Sequence, residues 1–258
     1  MDTLLLKLIV TPALIGTASL AGRRWGDSIS GWLVALPLTT GPIAFFLALT
    51  HGNAFAAASA GGTLTGGFSL AAFVLTYAWL APRWKWLPTL AAAVLAFGLF
   101  TAVLQQITFP LVPLYMLVLL AYALELKLLP NHVSSELPNE SLPPQWDIPL
   151  RMLIATAFVV FITAIAPAFG PHLTGLLSPF PIFTATLAAF AHHLHGSEAA
   201  IKVLRGLLMG LFSYASFFFT LAILLVPAGI AVAFVLATLV VIIFQSAALW
   251  LLRRQLSL

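Results

Sequence analysis

Charged residues are too scarce in this sequence for water to be the solvent of most of the chain. Eleven Lys and Arg and seven Asp and Glu make up 7% of 258 residues, whereas 62% are hydrophobic. A soluble domain carries about 25% charged residues. So few charges cannot cover a water-facing surface, and disorder needs the opposite balance of low hydrophobicity and high net charge. In lipid every backbone polar group must be satisfied within its own segment. The expected fold class is therefore all-α, a polytopic integral membrane protein.

There are no cysteines, which excludes disulfides, iron–sulfur clusters, thiolate zinc sites and Cys nucleophiles. The net charge of +4 invites a nucleic-acid reading. The basic residues, however, fall in short scattered clusters, without the stripe that neutralises several phosphates. No nucleic-acid partner is expected. The N-terminal stretch Met1–Gly22 has the look of a signal peptide, but Asp2 precedes Lys7 and the segment has a counterpart in mid-chain. It reads as a transmembrane helix.

A spanning helix needs about 20 mostly apolar residues. Nine such segments are expected: 3–21, 30–50, 54–80, 86–106, 108–128, 149–168, 173–194, 199–225 and 229–252. The division within 86–128 rests on Gln105-Gln106 and Pro110, which offer a turn. Nine spans place Arg23, Arg24, Arg83, Lys85, Lys127, Arg151, Lys202, Arg205, Arg253 and Arg254 on one face and Lys7 alone on the other. The positive-inside rule then puts the N-terminus outside and the C-terminus in the cytoplasm of a bacterial inner membrane. Eight spans would destroy this bias.

Shifting the sequence by 144 residues reveals an internal repeat. Gly31 falls on Gly175, Pro37 on Pro181, Thr40 on Thr184, His51 on His195, Gly52 on Gly196, Gly62 on Gly206 and Gly66 on Gly210. Over 31–78 there are 18 identities in 48 positions, and Lys7 falls on Arg151. The chain divides into a first four-helix repeat (1–106), a connecting transmembrane helix (107–129), a Pro-rich cytoplasmic linker (130–148) and a second four-helix repeat (149–258). One extra span between the copies makes them inverted relative to each other, the pattern of many secondary transporters with a midplane site.

The second copy carries Gly175-Leu176-Leu177-Ser178-Pro179-Phe180-Pro181-Ile182-Phe183, then Ala191-His192, then Gly196-Ser197-Glu198, Ile201 and Leu204-Arg205. This run resembles the GlpM family of small four-helix bacterial inner-membrane proteins. The chain departs from that pattern by about one extra helical turn between Phe183 and His192, and by fusing two copies. The resemblance implies a membrane location and no substrate.

Candidate site residues follow from the matched helix breaks. Pro37, Thr39, Thr40 and Pro42 interrupt the second span; Ser178, Pro181, Thr184 and Thr186 interrupt the seventh. Proline removes a backbone donor and frees carbonyls. Paired interruptions at corresponding positions of two halves point to a transporter site. The plainer alternative is a kink whose carbonyls are satisfied by Ser and Thr hydroxyls. Lys7 and Arg151 sit one turn inside their apolar runs. Either they snorkel to the headgroups, or they form symmetry-related cationic gates for an anionic solute.

His51 and His195 each precede a helix-ending Gly and suit the helix dipole there. His192, His193 and His195 are too few ligands for a membrane metal enzyme. Gly62-x-x-x-Gly66 and Gly206-x-x-x-Gly210 are expected to permit close helix approach. All carboxylates, Glu125 among them, fall at helix ends or loops. A mid-membrane acid is thus not expected, which argues against cationic cargo. No nucleotide-binding loop is present.

The expectation is a secondary transporter of a small neutral or anionic solute, of polyol or lipid-linked type. It is not an enzyme and has no cofactor and no metal; its partners are membrane lipids and a small-molecule substrate, with a homodimer left open. The rival expectation is a non-transporting assembly or scaffold protein of an envelope pathway.

Overall fold

The computed structural model describes residues 2–25, 37–130 and 147–256. Residues 30–36 of the expected second span, His132 and most of the expected linker lie outside the described residues. Every element among those described is helical: α1 (Asp2–Trp25), α2 (Thr40–His51), α3 (Asn53–Leu80), α4 (Trp86–Leu104), α5 (Leu111–Leu128), α6 (Asp147–Leu177), α7 (Ile182–His195) and α8 (Ser197–Leu256). Five stretches are long and apolar enough to cross a membrane: Asn53–Leu80, Trp86–Leu104, Leu111–Leu128, Ile148–Leu177 and Ser197–Ser246.

The helix ends follow local chemistry. Gly52 and Gly196, 144 residues apart, terminate α2 and α7 with φ of 86° and 87° and ψ of 167° and 179°. That region of backbone space is essentially closed to residues with a Cβ. Their N–H groups donate to the Ala48 and His192 carbonyls, closing the last turn. Gly170 and Gly229 take the same conformation inside α6 and α8 and divide each into two helical segments. Pro167 and Pro227 stand just before them. The eighth and ninth expected spans thus correspond to the two segments of α8 on either side of Gly229. The expected turn between α4 and α5 is present: Gln105 and Gln106 donate to the Thr101 and Val103 carbonyls, and Pro110 precedes α5.

α3 is the central helix, packed against α2, α4, α5, α6 and α8. It carries no Asp, Glu, Lys or Arg over its 28 residues. The core runs from Phe46 and Leu47 on α2 through Leu64, Phe73 and Tyr77 on α3 to Phe218 and Leu221 on α8. Outward faces are equally apolar. Leu95 and Leu99 on α4, Leu153 on α6 and Ile243 on α8 are 65–67% exposed. A patch of that kind is unfavourable in water and matches hydrocarbon, so the architecture fits an α-helical membrane protein.

Small residues set the closest approach. A Cβ on Gly66 would lie 2.6 Å from Pro179 Cγ and 2.7 Å from the Leu176 carbonyl oxygen. Gly62 faces His172 and Gly175 in the same way. The first Gly-x-x-x-Gly pair therefore seats α3 on the last turns of α6. The second is different at Gly206, which is exposed and has nothing within 4 Å of its Cβ position. Its face of α8 points away from neighbouring helices, so close packing does not explain it.

Candidate functional site

The described residues show a helix start at the first anticipated interruption and a break between two helices at the second. At the first, Pro37-Leu38-Thr39 turns the chain into α2, with Gly41 N–H donating to the Pro37 carbonyl at 2.7 Å and Ile43 N–H to the Thr39 carbonyl at 3.3 Å. Thr39 supplies no side-chain cap. Pro42 stands in the first turn, where its missing N–H would have no intrahelical partner anyway. Thr40 is 5% exposed and its hydroxyl serves no backbone carbonyl.

At the second break, α6 ends at Leu177 and α7 begins at Ile182. Ser178 N–H is shared between the Thr174 and Gly175 carbonyls, 3.1 Å from each, and its hydroxyl donates to the Thr174 carbonyl at 2.8 Å. Thr174 donates in turn to the Gly170 carbonyl at 2.6 Å. Ala185 N–H donates to the Pro181 carbonyl at 2.7 Å. Thr186 donates to the Ile182 carbonyl at 2.7 Å, and Thr184 is half-buried. The Ser178 and Thr186 hydroxyls thus serve carbonyls of their own turns, while the Gly175 and Leu177 carbonyls, four residues before Pro179 and Pro181, accept from the Ser178 and Phe180 N–H groups. Thr40 is not used that way. The two breaks are locally different although their residues match in sequence.

α3, α5 and α8 lie between these breaks. Pro179 and Leu176 abut Gly66, while the Tyr122 hydroxyl from α5 abuts Gly67 on the next residue. Tyr122 meets Phe212 of α8 edge to face at 5.9 Å. Two residues on, Tyr214 interacts with Thr40 at the first break. Phe217 of α8 reaches the Gly41 Cβ position.

Lys7 is held against the first break's helix. Its Nζ stands 5.7 Å from the centroid of the Phe46 ring, on α2. Arg151 is half-buried near the start of α6, which packs against α1 and α2. Lys7 is therefore turned to protein rather than spread along an outer face.

His51, His192, His193 and His195 occupy helix ends. His51 Nδ1 shares a 2.7 Å hydrogen bond with the Thr50 hydroxyl, and its ring stacks on Phe55. His192 Nδ1 is 3.4 Å from the Tyr77 hydroxyl, and His193 meets Trp86 edge to face. Among the described residues no group of three His, Cys, Asp or Glu is placed to hold a metal ion.

Two features were missed from the sequence. All four tyrosines of the chain are buried: Tyr77, Tyr115, Tyr122 and Tyr214 are 0–9% exposed. Tyrosine in membrane proteins commonly sits at the headgroups, so its position in mid-span was the available signal. Glu125 is 1% exposed, and neither of its carboxyl oxygens has a hydrogen-bond partner. Glu125 stands in the last turn of α5, at a helix end as expected, but it is enclosed by protein there. Glu125 is near the end of α5 in sequence, but α3 and α8 cover that end.

No family model, characterised protein or solved structure matches this chain.

Proposed function

We propose that the chain is a secondary transporter built from two inverted four-helix repeats around one connecting helix, with nine spans, an external N-terminus and a cytoplasmic C-terminus in a bacterial inner membrane. A GlpM-like ancestry by fusion of two copies belongs to the same reading. The observation that carries it is the matched pair of breaks. Proline-marked interruptions at Pro37 and Pro181, 144 residues apart, each precede a short helix that ends on a glycine in the same Gly-only conformation. Interrupted helices at corresponding positions of two halves are the usual means by which transporters place backbone groups at the midplane.

The solute would bind between the breaks, among Thr39, Thr40, Ser178, Thr184 and Thr186, and is neutral or anionic. Lys7 and Arg151 attract it from opposite membrane faces. Thr40 supports this assignment best, because its hydroxyl is buried and serves no backbone carbonyl. Ser178 and Thr186 contribute shape, since their hydroxyls serve the backbone.

The test is a flux screen in proteoliposomes with polyols, small organic anions, phosphorylated polyols and lipid-linked sugars. Saturable uptake of one class, lost in Thr40→Val and retained in Thr40→Ser, is the expected result. Absence of flux for every class, with stoichiometric copurification of an envelope protein, would replace this reading with a scaffold.

A further inference from the structure

The interior holds a group of polar side chains that the breaks alone do not account for. Thr40, Tyr122, Glu125 and Tyr214 are 5%, 1%, 1% and 8% exposed. Among the described residues the Tyr122 hydroxyl and both carboxyl oxygens of Glu125 have no hydrogen-bond partner, while the Tyr214 and Thr40 hydroxyls have only each other. They are neighbours. Tyr122 lies within electrostatic reach of both Glu125 and Tyr214, and Tyr214 interacts with Thr40. The group spans three helices, from α5 through α8 to the first residue of α2.

Buried polar atoms are nearly always paired, and a run of orphans asks for an explanation. An ionised carboxylate in such a place, with neither cation nor donor, is strongly disfavoured, and the group takes up a proton instead. Among the described residues no neighbour is an ion-pair or hydrogen-bond partner of Glu125. α3 faces α5 without any charged residue, Tyr77 being its one titratable group. α8 contributes Tyr214 and, towards the end of α5, Lys202 and Arg205; Arg205 donates from Nη2 to the Pro130 carbonyl, beyond the end of α5. α5 itself adds Tyr115, Tyr122 and the exposed Lys127. Tyr115 is committed to Ser216 at 2.8 Å.

We propose that Glu125 is an internal proton-binding site, linked through Tyr122 and Tyr214 to Thr40 at the first helix break. The carboxyl O–H bond holds the proton while α5 is closed against α8. On opening, the bond breaks, the electron pair stays on the carboxylate oxygen and the proton passes to entering water. Ionisation of Glu125 changes the field at the Tyr122 hydroxyl and, through Tyr214, at Thr40. The role of this site as the coupling-ion site rests on the transport reading; its protonation does not.

The test uses the full chain in phosphatidylcholine nanodiscs without any solute. Infrared titration reads the protonated-carboxyl C=O stretch, and dicyclohexylcarbodiimide serves as the chemical probe. In that probe reaction the carboxyl proton moves to a carbodiimide nitrogen as the oxygen adds to the central carbon. A carboxyl group in water deprotonates near pH 4. The expected result is one protonated C=O band that persists at about pH 7, with an adduct on the peptide containing Glu125. Both vanish in Glu125→Gln, and added sodium changes neither.

Loss of every C=O band below about pH 6 would overturn the site on the wild-type chain alone, whatever the stability of the variant. Sodium-dependent protection from the probe would also overturn it, by replacing the proton with a metal cation. A chain that moves no solute yet titrates as expected loses the transporter and keeps the site. A chain that moves solute with Glu125 ionised does the reverse.

Discussion

Gly62 and Gly175 meet backbone to backbone. A Cβ on Gly175 would lie 2.8 Å from the Gly62 Cα and 2.8 Å from the Thr63 amide nitrogen. The obstacles are main-chain atoms of α3 and α6, which have no rotamer to give. Gly175→Ala and Gly62→Ala should each destabilise the protein by about 2–4 kcal/mol through overpacking. Gly206→Ala has open space and should be neutral or stabilising by up to about 1 kcal/mol. Unfolding of the detergent-solubilised variants separates the cases. Equal damage at Gly206 and Gly175 would refute the packing argument.

Gly52→Ala and Gly196→Ala test conformation without contact. Nothing lies within 4 Å of either Cβ position, and both residues have φ near 86°. Any loss must come from forcing an L-residue into that region, about 1–3 kcal/mol each. The expected outcome is a lowered Tm for both variants, with Gly206→Ala unaffected. An unchanged Tm would mean that the α2–α3 and α7–α8 junctions accept another backbone path.

Much of this fold was legible because lipid simplifies the code. Long apolar runs gave α3, α4 and α5 almost to the residue, and the breaks at Pro37 and Pro181 followed from proline chemistry. Gly52 and Gly196 could be read as helix ends because each follows a histidine at the same register. What could not be read was which side of a helix faces inward. An all-apolar helix has no amphipathic stripe, so nothing in the sequence of α5 marked Glu125 as interior. The asymmetry of the breaks was hidden for a related reason. Matching residues occupy both, but Thr40 meets Tyr214 of α8 while Ser178 bonds its own turn.

The bond between Tyr115 and Ser216 has a direction that mutagenesis can reveal. Ser216 donates its proton to the Phe212 carbonyl at 2.8 Å, so the Tyr115 hydroxyl donates to Ser216 Oγ at 2.8 Å. Tyr115→Phe removes the donor and leaves Ser216 satisfied, at a loss of about 0.5–1.5 kcal/mol. Ser216→Ala strands a buried hydroxyl and should lose about 1–3 kcal/mol. Adding Tyr115→Phe to Ser216→Ala should recover part of that loss, because the stranded group is gone. A double-mutant cycle with strictly additive effects would contradict the bond.

Lys7 and Phe46 bear on the anion path most directly. The Lys7 ammonium faces the Phe46 ring at 5.7 Å, an attraction worth about 0.5–2 kcal/mol depending on desolvation. Arginine keeps the charge and also stacks on aromatic faces, so Lys7→Arg should retain solute flux. Lys7→Gln combined with Arg151→Gln should lower flux of an anionic solute about tenfold or more at normal expression, a barrier change of about 1.4 kcal/mol or above. Phe46→Leu should give a smaller loss, since the cation stays and only its orientation is released. The residual flux of the doubly neutral variant should lose its dependence on ionic strength, because steering by fixed charge is what salt screens. Full flux in Lys7→Gln, Arg151→Gln with an unaltered salt profile would return both residues to anchoring the chain at the headgroups.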